Sequence, residues 1–379
     1  MGRLSLEECC QHRYPFIRIF VQSAFGTKMA IITKEGTSME NTTSRAIIET
    51  VVRKAIRDIS DSPRRSTRNL VDMALNFAEG RFQKYFFRSA QKMLKNENSR
   101  YYDLVYDAVT HIDTDRIVTF GINLGYNSCT SGAKTIRKIE EEQGYHVPWS
   151  VTFMMDPQQY LAHQEAYQSA VTQGKQMGIY TWQMCAGEKP EILLPLVKAH
   201  TDCAFILLCD PRDITQTFLD EISPLNNVML TLRLDYDTAG VCQMLRERKL
   251  LYSVYFAYTA EDEAQISSGD LFYSAEQMHP FFTALTAARG CPVETREQVY
   301  ADVCALRAEQ AVQTVPWELT YDSSMIDGVI STEPCTVAFD SDGYLHIWHT
   351  REEATAYNLF SSDLKTLFKK ALPKHSQNC

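Results

Sequence analysis

Five short apolar segments, separated by helical stretches, constrain the fold of this chain most strongly. They begin 24 to 28 residues apart and are Val151–Met155, Ile179–Met184, Ala204–Cys209, Val228–Leu234 and Tyr252–Tyr258. Strand–helix–strand units of this length form right-handed crossovers, so the pattern predicts a parallel sheet with helices packed against it. The strands are apolar nearly throughout, as expected when both faces of the sheet are covered. The spacing leaves two arrangements open, a doubly wound sheet and a curved partial barrel.

The rest of the chain is assigned around this segment. The predicted parts are an N-terminal extension at 1–43, a helical region at 44–146, the strand–helix region at 147–290, which is the partial barrel in the second arrangement, and a C-terminal extension at 291–379. Apolar residues recur at intervals of three and four in the second part, which indicates amphipathic helices. In the last part, Asp340-Ser341-Asp342-Gly343 predicts the turn of a β-hairpin, and a closing helix follows. The sequence does not decide whether residues 1–38 belong to the folded protein.

Composition excludes several classes of function. The formal net charge is −9, whereas a nucleic-acid-binding surface needs a basic face. No apolar run reaches the roughly 18 residues that span a bilayer. The 11 cysteines are an odd number and are scattered, which is untypical of a secreted disulfide scaffold. We therefore expect a cytoplasmic protein without a membrane span.

Acidic residues follow the ends of several predicted strands. In parallel βα folds the carboxyl ends of the strands form the edge where ligands bind, so we expect these side chains to lie at that edge. They could contact a ligand, hold a hard cation or perform acid–base chemistry. Alternatively they cap the helices that follow, because Asp and Glu favour helix N-termini. Both interpretations stay open for the four acids, Asp156, Glu188, Asp210 and Asp235. Cys185, at the end of the second strand, is a further candidate for ligand contact.

The order of these segments resembles that of the radical S-adenosylmethionine (SAM) superfamily, with a SPASM-like architecture. The resemblance covers roughly residues 70–370 and depends on collinear order rather than on one motif. It implies a partial (β/α) TIM-like barrel with an N-terminal helical region and a small α+β C-terminal extension. The segments that carry it are Val147-Pro148-Trp149, Val151-Thr152-Phe153, Gly174-Lys175-Gln176, Ala186-Gly187-Glu188, His200-Thr201-Asp202 and Leu232-Arg233-Leu234-Asp235.

The sequence departs from this family where the radical chemistry is performed. The family binds a [4Fe–4S] cluster through Cys-x3-Cys-x2-Cys in the loop after the first strand, and the cluster cleaves SAM reductively. Here Asp156-Pro157 leads directly into the next helix, and neither that motif nor Cys-x2-Cys occurs in the chain. The family's Gly-Gly-Glu-Pro motif corresponds to Ala186-Gly187-Glu188-Lys189-Pro190. The resemblance thus identifies remnants of a SAM site at Gly187, Glu188, Asp210 and Asp235.

These departures favour a degenerate protein of this class that acts in binding or as an accessory protein. Its expected partner is a small molecule or an active radical SAM relative. No cofactor and no metal site are expected, and SAM binding is left open. Two enzymatic alternatives also stay open: a radical SAM enzyme with unusual cluster ligands, and a non-radical enzyme that uses Asp156, Glu188 and Asp210. The sequence does not identify the ligand.

Overall fold

The computed structural model describes residues 39–76, 80–235, 237–331, 333–347 and 355–374. These residues form α-helices and β-strands, numbered here in chain order. The strands are β1 Ser150–Met154, β2 Thr181–Cys185, β3 Ala204–Cys209, β4 Val228–Arg233, β5 Tyr252–Tyr258, β6 Phe282–Ala287, β7 Val315–Glu318, β8 Val337–Phe339 and β9 Leu345–Ile347. The helices are α1 Met39–Asp61, α2 Pro63–Asn76, α3 Gly80–Met93, α4 Tyr101–His111, α5 Thr114–Ile122, α6 Ala133–Gln143, α7 Pro157–Ala162, α8 Gln164–Met177, α9 Leu194–Ala199, α10 Gln216–Ile222, α11 Thr238–Glu247, α12 Glu263–Ser267, α13 Asp270–Glu276, α14 Val293–Glu309, α15 Leu319–Ile330 and α16 Leu364–Ala371. A π-helical segment, Asn123–Gly132, joins α5 to α6.

The chain divides into two compact units. The barrel unit comprises the described residues of His111–Tyr255 and Leu319–Cys379, and the helical unit those of Met1–Thr110 and Phe256–Glu318. The division falls within β5. The four-part organisation inferred from the sequence stays a prediction.

In the barrel unit, the strand order distinguishes between the two arrangements that the sequence left open. The order is β5-β4-β3-β2-β1-β8-β9, with every neighbouring pair parallel except β8 and β9. Strands β1 to β5 therefore follow one another in chain order, whereas a doubly wound sheet reverses its order at a switch point. The expected fold class, a partial (β/α) barrel, is confirmed.

Aromatic packing fixes which side chains of the sheet face the outer helices. Trp182 is fully buried on β2 and lies against Gly174 of α8, where an added Cβ would come within 2.5 Å of the indole ring. It also stacks on Phe153 of β1, with ring centroids 5.5 Å apart. Because side chains alternate along a strand, Gln183 faces the opposite side of the sheet. There its amide lies 3.4 Å from the Ser323 hydroxyl of α15.

The helical unit contains two separate apolar clusters. One is formed by helices α2 to α4 and comprises Val71, Ala74, Phe87, Ala90, Leu94 and Tyr102. The other surrounds β6 and α14 and comprises Tyr258, Ile266, Leu271, Phe272, Leu285, Val299, Val303 and Val312. Burial of these side chains is the principal source of stability in each cluster.

The secondary structure matches the sequence-based predictions in most places. The predicted bounds of β3 and β5 coincide with the observed ones, and the other three predicted strands shift by at most two residues. The predicted hairpin is confirmed, since β8 and β9 pair antiparallel from Val337↔Ile347 to Phe339↔Leu345. Strands β6 and β7 were not predicted. The hairpin strands predicted on either side of the turn are Cys335–Phe339 and Tyr344–Trp348. Trp348 and the first 38 residues lie outside the described residues.

Within the part of the chain that the structure describes, no helix is both long enough and apolar enough to cross a membrane.

Candidate functional site

The carboxyl ends of β2, β3 and β4, together with Tyr255 in the middle of β5, surround a cavity of about 650 Å³. This volume lies within the range of small-molecule sites, and the position is the usual ligand edge of a βα barrel. Six of the nine lining residues are charged, three with each sign. The lining residues are Ala186, Gly187, Glu188, Lys189, Asp210, Arg212, Asp213, Arg233 and Tyr255.

At the end of β1, Asp156 caps a helix. One of its carboxylate oxygens accepts hydrogen bonds from the backbone N–H groups of Gln158 at 3.0 Å and Gln159 at 2.9 Å. Pro157 occupies the first turn of α7, where its missing N–H costs nothing. Asp156 therefore has the geometry of a helix cap, which favours the capping interpretation over ligand contact.

Replacing Asp156 by alanine should lower the free energy of unfolding by about 1 kcal/mol, because two helix N–H groups lose their acceptor. Asp156→Asn keeps an acceptor, so its loss should stay within a few tenths of a kcal/mol. Urea unfolding followed by circular dichroism measures both variants. Equal losses would contradict capping and would assign a role to the negative charge.

The ends of β1 and β2 are packed directly against each other. The Met155 amide donates to the Cys185 carbonyl at 3.0 Å. A Cβ added to Gly187 would lie 2.9 Å from the Met155 carbonyl oxygen and 3.5 Å from Pro157. Only glycine can lie this close to the Met155 carbonyl, so backbone atoms fill the space between the ends of β1 and β2.

Asp210, at the end of β3, is held by two arginines. Arg212 donates to both of its carboxylate oxygens, at 2.9 and 2.7 Å, and its backbone N–H adds a third bond at 3.0 Å. Arg233 of β4 donates to Asp210 through Nη2 and lies 3.4 Å from Asp235 through the same nitrogen. The hydrogen bond from Arg212 is the main cause that lowers the pKa of Asp210 to about 2. An acid this strong is a poor general base near neutral pH.

Asp235 stabilises the turn that leads into α11. Its carboxylate accepts from the Asp237 N–H at 3.0 Å and lies 3.3 Å from the Thr238 hydroxyl. It does not line the cavity. Asp235 therefore accepts hydrogen bonds from neighbouring residues of its own turn, as the capping interpretation predicts.

Asp213 lies in the short turn after Asp210 and was not identified from the sequence. Its carboxylate is half-buried and lines the cavity. Burial and the nearby charges of Asp210 and Glu188 raise its pKa above the ordinary value for aspartate. The sequence did contain a signal, since Asp213 follows Asp210 by three residues at the same strand end.

On the opposite side of the cavity, Tyr255 of β5 is paired in register with Arg233 of β4. Burial, followed by the nearby Cys185, raises the pKa of the Tyr255 phenol to about 12. The phenol is therefore a neutral hydrogen-bonding group at physiological pH.

Two cysteines, Cys185 and Cys209, are the last residues of β2 and β3. Burial raises the pKa of Cys185 to about 12, and it raises the pKa of Cys209 well above the ordinary value. Both groups therefore remain protonated thiols at neutral pH. Within the described ranges, no group of three His, Cys, Asp or Glu side chains is placed to hold a metal ion.

Of the residues identified from the sequence, the structure brings Gly187, Glu188 and Asp210 together in the cavity. Asp156, Cys185 and Asp235 lie at the same edge without lining it. Arg233 and Tyr255 complete the cavity, and their roles emerge only from the pairing of strands β4 and β5. The fold and this charged cavity define a partial-barrel α/β protein with a candidate small-molecule site.

No protein-family model matches the chain, and no curated protein matches it. The structure is similar to that of SuiB from Streptococcus suis, with 11% identity, a TM-score of 0.46 and coverage of 81% of this chain and 82% of that chain. A structure of SuiB bound to S-adenosylmethionine has 9% identity and a TM-score of 0.46, with coverage of 69% of this chain and 70% of that chain. A structure of SuiB bound to the precursor peptide SuiA has 10% identity and a TM-score of 0.45, with coverage of 69% of this chain and 71% of that chain. With TM-scores below 0.5, these similarities assign no function to this chain.

Proposed function

We propose that this chain is a radical SAM-like barrel protein that works without a [4Fe–4S] cluster, as a binding or accessory protein. The observation that carries the proposal is the direct passage from β1 to α7. Only Met155 and Asp156 lie between the strand and the helix, and Asp156 is already the helix cap. A loop with three thiolate ligands has no place in this connection.

The packing around the connection supports the same conclusion. Gly187 approaches the Met155 carbonyl so closely that a single added carbon would collide with it. A cluster bound beside β1 would have to displace this contact. The nearest strand-end thiol, that of Cys185, is buried and its raised pKa disfavours the thiolate. These features fit a barrel edge adapted to a purpose other than reductive cleavage.

The cavity supports a retained binding role. Its volume of about 650 Å³ suits a small molecule, and six charged side chains line it. Charged groups favour polar ligands, because each charge that is removed from water must find a partner. The cavity favours a small polar molecule as the partner, and an active radical SAM relative stays the alternative partner.

Anaerobic reconstitution with iron and sulfide tests the proposal. We expect the purified chain to take up far less than a stoichiometric amount of iron and to show no cluster band in its visible spectrum, because no three ligand side chains are grouped to hold a metal within the described residues. Iron and sulfide contents after desalting are measured together with the spectrum.

Cys185→Ala provides the matched control, since it removes the thiol at the end of β2, the strand that pairs with β1. Traces of iron that are equal in both proteins are adventitious and agree with the proposal. A stoichiometric iron–sulfur cluster in the wild-type chain would overturn it, and a loss of that cluster in Cys185→Ala would identify a ligand.

A further inference from the structure

Exposed basic side chains line helices α2 and α3 of the helical unit. On α3, Arg88 and Lys92 are exposed and lie about one turn apart, and Lys95 is exposed in the turn that follows the helix. Because residues three and four apart share one side of a helix, these cations form a row. Phe87 and Ala90, on the other side of α3, are buried in an apolar cluster. The row therefore faces solvent, although the chain has a formal net charge of −9.

The start of α2 extends this row. Arg64 and Arg68 both lie over the ring of Tyr102, with their guanidinium carbons 5.9 and 5.6 Å from its centroid. Tyr102 is buried, and its hydroxyl donates to the Leu94 carbonyl at 2.6 Å. Since Leu94 directly precedes Lys95, a fixed aromatic ring joins the two arginines to the row on α3. The cations of this surface, called here the basic face, are Arg64, Arg68, Arg88, Lys92 and Lys95.

Little of the charge on the basic face is neutralised within the part of the chain that the structure describes. Of its cations, only Arg68 forms an ion pair with a described residue. The partner is Glu97 at 3.7 Å, and the two side chains are 40% and 74% exposed. An ion pair this exposed contributes little, because water and salt screen both charges. The sequence of α3 contains no acidic residue, so the row on this helix is left to attract an anionic partner.

Acidic residues at the border of the basic face restrict the kind of partner. Asp72 of α2 is exposed and accepts a hydrogen bond from Gln91 at 2.8 Å, and Glu97 lies two residues beyond Lys95. An anionic bilayer carries negative charge over its whole plane, so it would bring like charge against Asp72 and Glu97. A protein helix can present its carboxylates in a single row and leave these two acids in water. The geometry therefore favours a narrow acidic segment over a membrane surface.

We propose that the basic face docks an acidic helix of a partner protein. Carboxylates spaced three and four residues apart on that helix match the spacing of Arg88, Lys92 and Lys95, so each cation can meet one anion. Arg64 and Arg68, held on the ring of Tyr102, can each take a further carboxylate through two N–H donors. The inference deepens the proposed function and rests on it, because a binding or accessory protein needs a surface for its partner.

Fluorescence anisotropy on the full chain tests the inference. The probe is a labelled alanine-based helical peptide of about 20 residues, long enough to be helical in water, with glutamates alternately three and four residues apart. The matched peptide has glutamine at every glutamate position. At low ionic strength we expect the acidic peptide to bind at least tenfold more tightly than the neutral one, and its binding to weaken as salt is added, because salt screens exposed charges. If the two peptides bind equally, the inference is wrong.

Charge reversal locates the docking surface. The double variant Arg88→Glu, Lys92→Glu should weaken binding of the acidic peptide at least tenfold, about 1.4 kcal/mol. The matched control is Lys369→Glu, Lys370→Glu, which changes the net charge equally at two exposed lysines of α16 in the barrel unit. This control should bind the peptide as the wild type does. An equal loss in both double variants would mean that only the net charge of the chain matters, and it would overturn the inference.

Two further measurements address the other occupants of the basic face. Sedimentation with phosphatidylglycerol vesicles, and with phosphatidylcholine vesicles as the neutral control, tests a membrane. Sedimentation velocity of the chain alone tests a second copy. Binding to the anionic vesicles, or self-association, that is lost in Arg88→Glu, Lys92→Glu would overturn the inference if the acidic peptide is not preferred.

The two proposals fail in distinguishable ways. A stoichiometric cluster after reconstitution refutes the proposed function, whatever the peptides show. A chain without a cluster that does not prefer the acidic peptide refutes the inference alone. Urea unfolding of each variant confirms that it is folded before titration. If the charge-reversal variant is unfolded, the milder double variant Arg88→Gln, Lys92→Gln decides the outcome, and unchanged binding in that variant would refute the inference.

Discussion

Gly178→Ala is expected to destabilise the protein by roughly 2–5 kcal/mol, the sum of a backbone penalty and a steric one. Gly178 ends α8 with a φ of 97°, a conformation that residues with a side chain adopt only at a cost. An added Cβ would also lie 2.4 Å from the carbonyl oxygen of Gly132 in the π-helical segment. That oxygen belongs to the backbone and cannot rotate away, so α8 or the π-helical segment must shift.

Gly144→Ala separates the two contributions. Gly144 caps α6 with a φ of 71°, and nothing lies within 4 Å of an added Cβ there. This variant should therefore lose only the backbone term of about 1–2 kcal/mol. Urea unfolding measures both variants under the same conditions. If the two variants lose equal stability, the contact between Gly178 and Gly132 does not restrict the backbone as the geometry implies.

The barrel strands could be predicted from the sequence because parallel strands are buried on both faces and read as continuous apolar runs. Ala204–Cys209 and Tyr252–Tyr258 were located to the residue for this reason. Strand β7 was missed since it has only four residues and contains Pro316, which removes a ladder donor. Strand β6 was missed because two short helices precede it and break the regular spacing.

The candidate site was only partly predictable. Topology alone places the acids that follow parallel strands at one edge, so Glu188 and Asp210 were found. The pairing of Asp210 with Arg233 depends on the alignment of β3 with β4, which a single sequence does not specify. Asp156 and Asp235 show the limit of such reasoning, because the same residue type serves as a helix or turn cap and as a ligand contact.

Asp327 is a buried carboxyl group whose titration should be visible in the stability of the protein. It lies on α15 and accepts hydrogen bonds from the Trp149 N–H at 2.8 Å and the Thr336 hydroxyl at 2.7 Å. Burial raises its pKa to about 7, although these hydrogen bonds act in the opposite direction. The folded protein therefore binds more protons at this residue than the unfolded chain does between about pH 4 and pH 7.

The sign of the effect follows from this difference in bound protons. Where the folded state binds more protons, the free energy of unfolding falls as pH rises, so this contribution decreases from about pH 4 to about pH 7 and is constant above. Glu140, whose pKa is lowered since hydrogen bonds from His146 and Ser331 outweigh its burial, acts in the opposite sense at more acidic pH. Glu140 is present in the wild type and in a variant at Asp327, so its contribution cancels when the two proteins are compared.

Asp327→Asn should remove this pH dependence, because an amide has the shape of the protonated carboxyl group and does not ionise. The variant should resemble the wild type near pH 4 and become the more stable protein as pH rises. By pH 8 the difference should reach the order of a few kcal/mol, since each unit of pKa shift corresponds to about 1.4 kcal/mol. Urea unfolding of both proteins at pH 5, 6, 7 and 8 measures the difference. If the free energies of unfolding of the two proteins change with pH in parallel, Asp327 does not change its protonation in this range. A donor other than those at Trp149 and Thr336 would then have to offset the effect of burial on its pKa.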